Sequence, residues 1–434
     1  MSTTAMLPGA APGQSTLKKV VIAATIGNVL EWFDFVIYGF LAVTLSEVFF
    51  PTGNPTVSLL VTFGAFGLAY LVRPLGAIFV GSYTDRHGRK AGLTLSIALM
   101  MVGTTVMAVT PGYAAIGIAA PLLITLARLL QGFSVGGEFG SSVAFLMEHG
   151  TQRRGFAASW QFSVAGLITA LASLFGIALT TLLTHDQLLG WGWRVPYFFG
   201  MLVGPAGLYI RSRLSETAEF LEAEQPEAIP IRELLSRHPL QVLLALGASI
   251  ISNSSFYILL YIPTYGQKTL HLPAYTGFLA TLVGGVVLAV FCPVFGHWSD
   301  KIARPTIMVA TSALFVVTSW PAFFLMSAWP TLAACMIACS WLQLLKAGYS
   351  GVLPSLLGEQ FPVATRALGV SLSFSTAVTI FGGFAPFVAT WLIAVTGNPL
   401  SPSYYLVVTA ALSFVALAAI QRRRSRASVL APAE

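Results

Sequence analysis

Apolar residues in this chain run in long blocks separated by short polar breaks. The blocks fall near 18–44, 56–82, 91–110, 116–147, 155–184 and 193–212, then near 239–265, 274–296, 305–327, 330–357, 366–395 and 402–421. Each is long enough for a helix of about 20 residues to cross the hydrocarbon core of a bilayer. The pattern predicts an all-α membrane protein with twelve transmembrane helices. Between the sixth and seventh blocks lies a polar stretch, 213–238, with Glu216, Glu219, Glu222, Glu224, Glu227, Pro226 and Pro230. The expected organisation is a disordered N-terminal tail at 1–17, a six-helix bundle at 18–212 and a cytoplasmic linker at 213–238. A second six-helix bundle follows at 239–421, and a cytoplasmic tail at 422–434.

The first block carries the sharpest departure from apolarity. Glu31 and Asp34 sit in its middle, and their i, i+3 spacing puts them on one helix face with Gly27 and Tyr38. An ionised acid at membrane depth costs at least about 2.5–3.5 kcal/mol, so it faces a wet cavity or a basic partner. Three cations fall inside other blocks away from their ends, namely Arg73, Arg128 and Lys346, and Glu138 is a third acid. The charges inside the blocks therefore balance.

Composition agrees with a bilayer protein: 56% of the 434 residues are hydrophobic and only 9% are charged, against about 25% charged in soluble domains. The formal net charge of +7 reports topology. With the N-terminus inside, eighteen of the basic residues lie in cytoplasmic segments, and only Arg194 and Lys268 lie outside. No nucleic-acid partner is implied. The three cysteines, Cys292, Cys335 and Cys339, have no metal spacing and lie in apolar blocks. No cleaved signal peptide is read before Leu17, and no Walker-type phosphate loop occurs. Neither a metal cluster nor a nucleophile–base arrangement is present, so no enzyme and no cofactor is expected.

The two sets of six blocks repeat. Gly81-Ser82-Tyr83-Thr84-Asp85-Arg86-His87-Gly88-Arg89-Lys90 follows the second block, and Gly296-His297-Trp298-Ser299-Asp300-Lys301-Ile302-Ala303-Arg304 follows the eighth. Glu148 and Arg154 stand to the fourth block as Glu359 and Arg366 stand to the tenth, at a similar offset. Two halves with parallel topology place a substrate site between them near the midplane.

The decapeptide Gly81–Lys90, read as the loop after the second span, resembles the signature of the major facilitator superfamily. Its Asp85 suits a helix start and its Gly88 a tight turn. The polar cluster of Gly81, Asp85, Arg86, Gly88 and Arg89 reads either as a solvated cytoplasmic charge run or as a conformational latch between the halves, and its recurrence, with Asp300 and Arg304 in the eroded repeat, favours the latch. Within that superfamily the chain resembles the metabolite:proton symporters. The resemblance rests on Glu31-Trp32-Phe33-Asp34-Phe35 with Tyr38-Gly39, on Arg73-Pro74-Leu75-Gly76, and on Arg128 with Gln131-Gly132-Phe133-Ser134, Gly136 and Glu138. Gly192-Trp193-Arg194 with Pro196, and Glu359 with Phe361-Pro362, Arg366 and Gly369, complete it. The second half is similar to the citrate and tricarballylate branch at Tyr261, Pro263-Thr264-Tyr265-Gly266, Phe374-Ser375, Ala377, Ile380-Phe381-Gly382-Gly383 and Pro386. The first half departs from that branch at Trp32, where the branch tends to carry Gln, and at 163–168, which lacks its Gln pair.

The resemblance implies two six-helix pseudo-repeats in the major facilitator fold, working by alternating access in a bacterial inner membrane. It also points to Asp34 paired with Arg128. Arg stays protonated, so the acid is the titrating member, with Glu31 handing it protons or lining the site. Candidate substrate contacts are Arg128, Lys346, Asn28, Gln131, Gln161, Asn253, Tyr257, Tyr261 and Gln343. Any one of the polar ones reads sooner as an interhelical hydrogen bond than as a ligand contact, Lys346 also as a charge balance for Glu31 or Asp34, Arg73 as a brace for the kink at Pro74, and Glu138 as a local pair. The expected function is proton symport of a small di- or tricarboxylate by a monomer, its partners being the organic acid, protons and the lipid bilayer. Alternatives are proton-coupled uptake of a shikimate-, oxoglutarate- or betaine-like metabolite, a substrate-sensing receptor on the same fold, or a proton antiporter.

Overall fold

A computed structural model describes residues 32–87, 89–135, 143, 153–212, 231–362 and 365–430. Among the described residues, nearly every apolar block is helical. From Trp32 onward the first block forms α1 (Trp32–Phe40) and runs into α2 (Ala42–Phe49), which meets it at 73°. They are followed by α3 (Pro55–Leu71), α4 (Arg73–His87), α5 (Arg89–Val109), α6 (Ala119–Ser134), α7 (Arg154–Leu182) and α8 (Val195–Ser212). The second half holds α9 (Pro239–Leu260), α10 (Ile262–Lys268), α11 (Ala274–Trp298), α12 (Arg304–Ala328), α13 (Leu332–Ser350) and α14 (Leu353–Gln360). It ends with α15 (Arg366–Ala377), a π-helical turn at Val378–Gly382, α16 (Ala385–Thr396) and α17 (Ser401–Leu430).

Among the described residues, eight helices are long and apolar enough to cross a membrane, and nine if the bent α1–α2 pair is one span. The blocks at 91–110 and 116–147 yield the shorter apolar helices Thr94–Val109 and Ala119–Ser134. The twelve expected spans are therefore matched in part by full-length helices. Linker residues 213–230 and the tail at 1–17 lie outside the described residues.

Local sequence explains the helix ends. Asn54 caps α3, accepting at Oδ1 from the backbone N–H groups of Thr56 (2.9 Å) and Val57 (3.3 Å), with Pro55 in the first turn. Thr331 caps α13 in the same way. Gly397 ends α16 in the left-handed region, φ 64°. Large apolar side chains face outward, Phe79 at 64%, Val317 at 68% and Val395 at 67% exposed. Such a surface suits lipid and would be a liability in water.

The two halves meet along two seams. In one, α7 packs along α11 at close range. A Cβ on Gly166 would stand 2.5 Å from the backbone N of Ala289, and one on Gly285 would stand 2.8 Å from the carbonyl oxygen of Gly166. Small residues let helix backbones approach where no hydrophobic force drives them together. Hydrogen bonds cross the same seam, from the Ser163 hydroxyl to the Ala289 carbonyl (2.6 Å) and between Ser173 and Thr281 (2.9 Å). In the other seam α3 meets the π-helical turn, where the Thr379 hydroxyl donates to the Tyr70 carbonyl (3.0 Å).

The structure alters one local expectation. The segment from Gly81 to His87 is the end of α4, continuous helix and not a loop. Gly88 lies outside the described residues.

Candidate functional site

Asp34 projects from α1 into the first half and is 2% exposed. Its Oδ2 accepts from the Thr104 hydroxyl on α5 and from Gln131 Nε2 on α6 (3.0 Å). The same Gln131 amide donates toward Thr104 Oγ1 (3.2 Å), and its Oε1 accepts from Arg128 Nη1 (2.8 Å). Since Arg only donates, the amide orientation is fixed. The expected Asp34–Arg128 pair is thus bridged. No direct ion pair joins them among the described residues, and Gln131 stands between the two charges. Gln131, read from sequence as a substrate contact, is fully engaged in this link.

Arg128 is completely buried. Its guanidinium lies 4.4 Å from the ring centroid of Phe35, 4.5 Å from Tyr38 and 5.3 Å from Phe66. Its Nε and Nη2 have no hydrogen-bond partner among the described residues, and neither has Asp34 Oδ1. Arg73 approaches Phe35 at 5.1 Å and Tyr70 at 4.4 Å. Phe35 therefore serves two guanidiniums, which cation–π attraction helps hold in an apolar setting.

Lys346 is equally buried, on α13. Its Nζ donates to the Ser252 carbonyl (2.9 Å) and to Ser350 Oγ (3.3 Å), and those two serines share a hydrogen bond of 2.8 Å. It stands 5.2 Å from the Phe256 ring and 5.4 Å from that of Phe162, a residue of the first half. No ion pair to a carboxylate reaches it among the described residues. Aromatic rings link the two charged clusters across the halves: Trp32 to Phe256 at 5.2 Å, Tyr70 to Tyr257 at 5.3 Å and Phe66 to Tyr257 at 5.8 Å.

The remaining candidates divide. Asn253 donates to the Ser249 carbonyl of its own helix (2.9 Å). Tyr257 sits among the central rings, against Gly382 of the π-helical turn. Tyr261 packs on Phe63 (5.7 Å). Gln343 is 2% exposed beside Gly284, with Oε1 unpartnered among the described residues. Gln161 is half-buried on α7. Glu31, Asn28 and Glu138 lie outside the described residues.

A second polar cluster joins the halves at the end of the bundle that carries the repeated motif. Asp300 accepts from the backbone N–H groups of Gly155 (2.7 Å) and Phe156 (3.1 Å), capping α7 of the other half. Arg304 lies 3.6 Å from Asp300 and also engages Glu359, which Arg424 holds at 2.7 Å. The side chains of Asp85, Arg86 and Arg89 are outside the described residues. At the opposite end Glu47 lies 3.5 Å from Lys268 of the second half and 3.4 Å from His185.

Sequence reasoning missed Thr104, Ser252, Ser350 and Glu47. A hydroxyl in an apolar block is too common a signal to single out, and only packing shows which ones meet a charge.

Comparison with known proteins agrees with this architecture. The sequence matches the Major Facilitator Superfamily over residues 24–342. It is 36% identical to a citrate-proton symporter of Salmonella typhi, covering 95% of each chain. It is also 33% identical to a proline/betaine transporter of Salmonella typhimurium, over 92% of this chain and 82% of the other. The fold resembles a crystal structure of a D-xylose-proton symporter, with TM-score 0.74 at 17% identity over 92% of this chain and 97% of that one. A partially occluded inward-open xylose transporter from E. coli gives TM-score 0.70 at 16% identity, over 94% and 98%. A family match over most of the chain, a relative similar from end to end and a shared helical fold lead to one conclusion: the chain belongs to the Major Facilitator Superfamily.

Proposed function

We propose that this protein is a secondary transporter that takes up a small organic acid, a di- or tricarboxylate such as citrate or tricarballylate, together with protons. The observation that carries the reading is the charge of the centre. Three buried cations, Arg73, Arg128 and Lys346, face one buried acid, Asp34, among the described residues. Arg128 also keeps two N–H-bearing nitrogens without a partner there. A buried, incompletely paired guanidinium is costly, and a bound carboxylate supplies the missing acceptors. Arg128 lies in the first half and Lys346 in the second, so one substrate with several carboxylates draws the halves together, as alternating access around a central site requires.

In this reading Asp34 binds the proton and Arg128 is its counter-charge. A citrate-proton symporter among the relatives supports a carboxylate substrate. The proline/betaine relatives support a zwitterion instead, with the rings of Phe66, Tyr70 and Tyr257 as an apolar lining. Multiple cations favour the polyanion, because a betaine carries only one carboxylate. We place the protein in a bacterial inner membrane as a monomer with two six-helix halves, and assign the latch to Asp300 and Arg304 with Gly81, Asp85, Arg86, Gly88 and Arg89.

The test is uptake of labelled citrate, tricarballylate and glycine betaine into proteoliposomes, with and without an imposed proton gradient. Carboxylate accumulation driven by the gradient is expected, and its loss in Asp34→Asn with substrate exchange retained. Accumulation of glycine betaine alone rejects the substrate class. Gradient-driven accumulation by the Asn variant rejects Asp34 as the coupling group.

A further inference from the structure

Thr104 has one hydroxyl hydrogen and two acceptors for it. Its Oγ1 lies 3.0 Å from the Met100 carbonyl on its own helix and also within hydrogen-bonding reach of Asp34 Oδ2. It can donate to one of them at a time. Gln131 Nε2 supplies a further N–H to Thr104 Oγ1 at 3.2 Å. Thr104 is 3% exposed, so no bulk water substitutes for these partners.

We propose that Thr104 is a positioning residue, a two-state hydrogen-bond switch that lets Asp34 gain and lose its proton without rearranging the heavy atoms around it. The inference rests on the reading of Asp34 as the proton-binding group. With Asp34 ionised, the Thr104 hydroxyl and the Gln131 amide both donate to Oδ2. When a proton from the aqueous phase adds to Oδ2, the new carboxyl O–H donates to Thr104 Oγ1. The Thr104 hydroxyl then turns to the Met100 carbonyl, and Thr104 itself gives up no proton. Gln131 keeps its hold on both Asp34 and Arg128 in either state. The other carboxylate oxygen faces the bare backbone of α8, where a Cβ on Gly200 would stand 3.0 Å from Oδ1.

Other charged or titratable groups surround Asp34. Arg128 acts through Gln131 from α6, the Tyr197 hydroxyl stands on α8, Tyr38 lies one turn along α1, and Arg73 is beyond Phe35. Glu31 lies outside the described residues. None of these offers Asp34 a hydroxyl with a second acceptor of its own, as Thr104 does. Removing that hydroxyl takes a donor from the ionised form and an acceptor from the protonated form, and the bond to the charged form is the stronger of the two. The protonated form then persists to higher pH.

The experiment needs no transported substrate. The protonated-carboxyl infrared band of the purified full-length protein is followed against pH and assigned to Asp34 by its loss in Asp34→Asn. Thr104→Val, close to Thr in shape, should move the midpoint of that band to more alkaline pH by about one unit, the excess of a hydrogen bond to a charged group over one to a neutral group. Thr104→Ala, which relieves any packing conflict from Val, should move it the same way. Thr104→Ser should stay near the native midpoint. An Asp34 band that titrates unchanged in both Val and Ala variants overturns the switch and leaves Asp34 as the proton site. The absence of any titrating Asp34 band overturns the switch and the reading beneath it together.

Discussion

Lys346 is the residue whose chemistry separates this site from a generic polar core. Its ammonium has two hydrogen-bond partners, both in the second half, and two aromatic neighbours, one from each half. A buried ammonium with no carboxylate beside it among the described residues has a third N–H to offer an anion. Lys346→Met should raise the KM for the transported carboxylate by about tenfold or more, the worth of a charge-assisted hydrogen bond. Lys346→Arg should recover part of it, and both should insert normally. An unchanged KM in the Met variant means the anion is held elsewhere. The spacing of Glu31 and Asp34 made the first acid legible from sequence. What sequence could not show is that Gln131 separates Asp34 from Arg128, because an amide three residues along a helix from an Arg reaches either neighbour with equal ease.

At the scale of elements, the informative feature is a helix start capped from the other half. Asp300 stands just beyond α11, yet its carboxylate satisfies the first N–H groups of α7. An acid at a helix N-terminus is favourable both as a cap and toward the helix dipole. Gly155 permits this approach, since a Cβ there would stand 2.2 Å from Ser299 Oγ. Asp300→Ala should therefore loosen this end of the seam, at a cost of about 0.5–2 kcal/mol. The measurement is thiol labelling of Ser159→Cys, with the three native cysteines replaced, because Ser159 is buried beneath Gly296. Labelling should rise several-fold on adding Asp300→Ala, and an unchanged rate would remove Asp300 from the latch. The repeat of the Gly81 motif at Gly296 marked Asp300 as a counterpart of Asp85. Its target, the start of α7, became visible only with the halves assembled.

For the whole molecule, polar contacts join the halves at both ends. Asp300 on α7 closes one end, and the Glu47–Lys268 pair crosses the other. The contacts differ in kind. Glu47 and Lys268 are each about one-third exposed, and such ion pairs contribute little because water and salt screen them. The Asp300 cap is more buried and makes two backbone hydrogen bonds. The end held by Asp300 should therefore be the harder one to open when the site is empty. From the distribution of Lys and Arg we expect that end to face the cytoplasm. Reporter fusions should read inside at Ser425 and outside after Phe50, and an outside reading at Ser425 would sink the assignment.

Sequence by itself determined the class of the molecule and the inventory of its charges. Apolar blocks of membrane-spanning length leave a helix as the sole way to satisfy each backbone group within its own segment, so all-helical structure follows from local composition. The internal repeat and the Gly81 motif pointed to the family for the same reason: they are local patterns. The tertiary structure decided which charges meet. Asp34 reaches Thr104 and Gln131, Arg128 lies against Phe35 and Tyr38, and Lys346 rests on Ser252 and Ser350. Asp34, Thr104 and Gln131 stand on three different helices, and Ser252 and Lys346 on two. Helical periodicity orders side chains along one helix but says nothing of its rotation against the next, and that rotation is set by close packing of small residues such as Gly166 and Gly285.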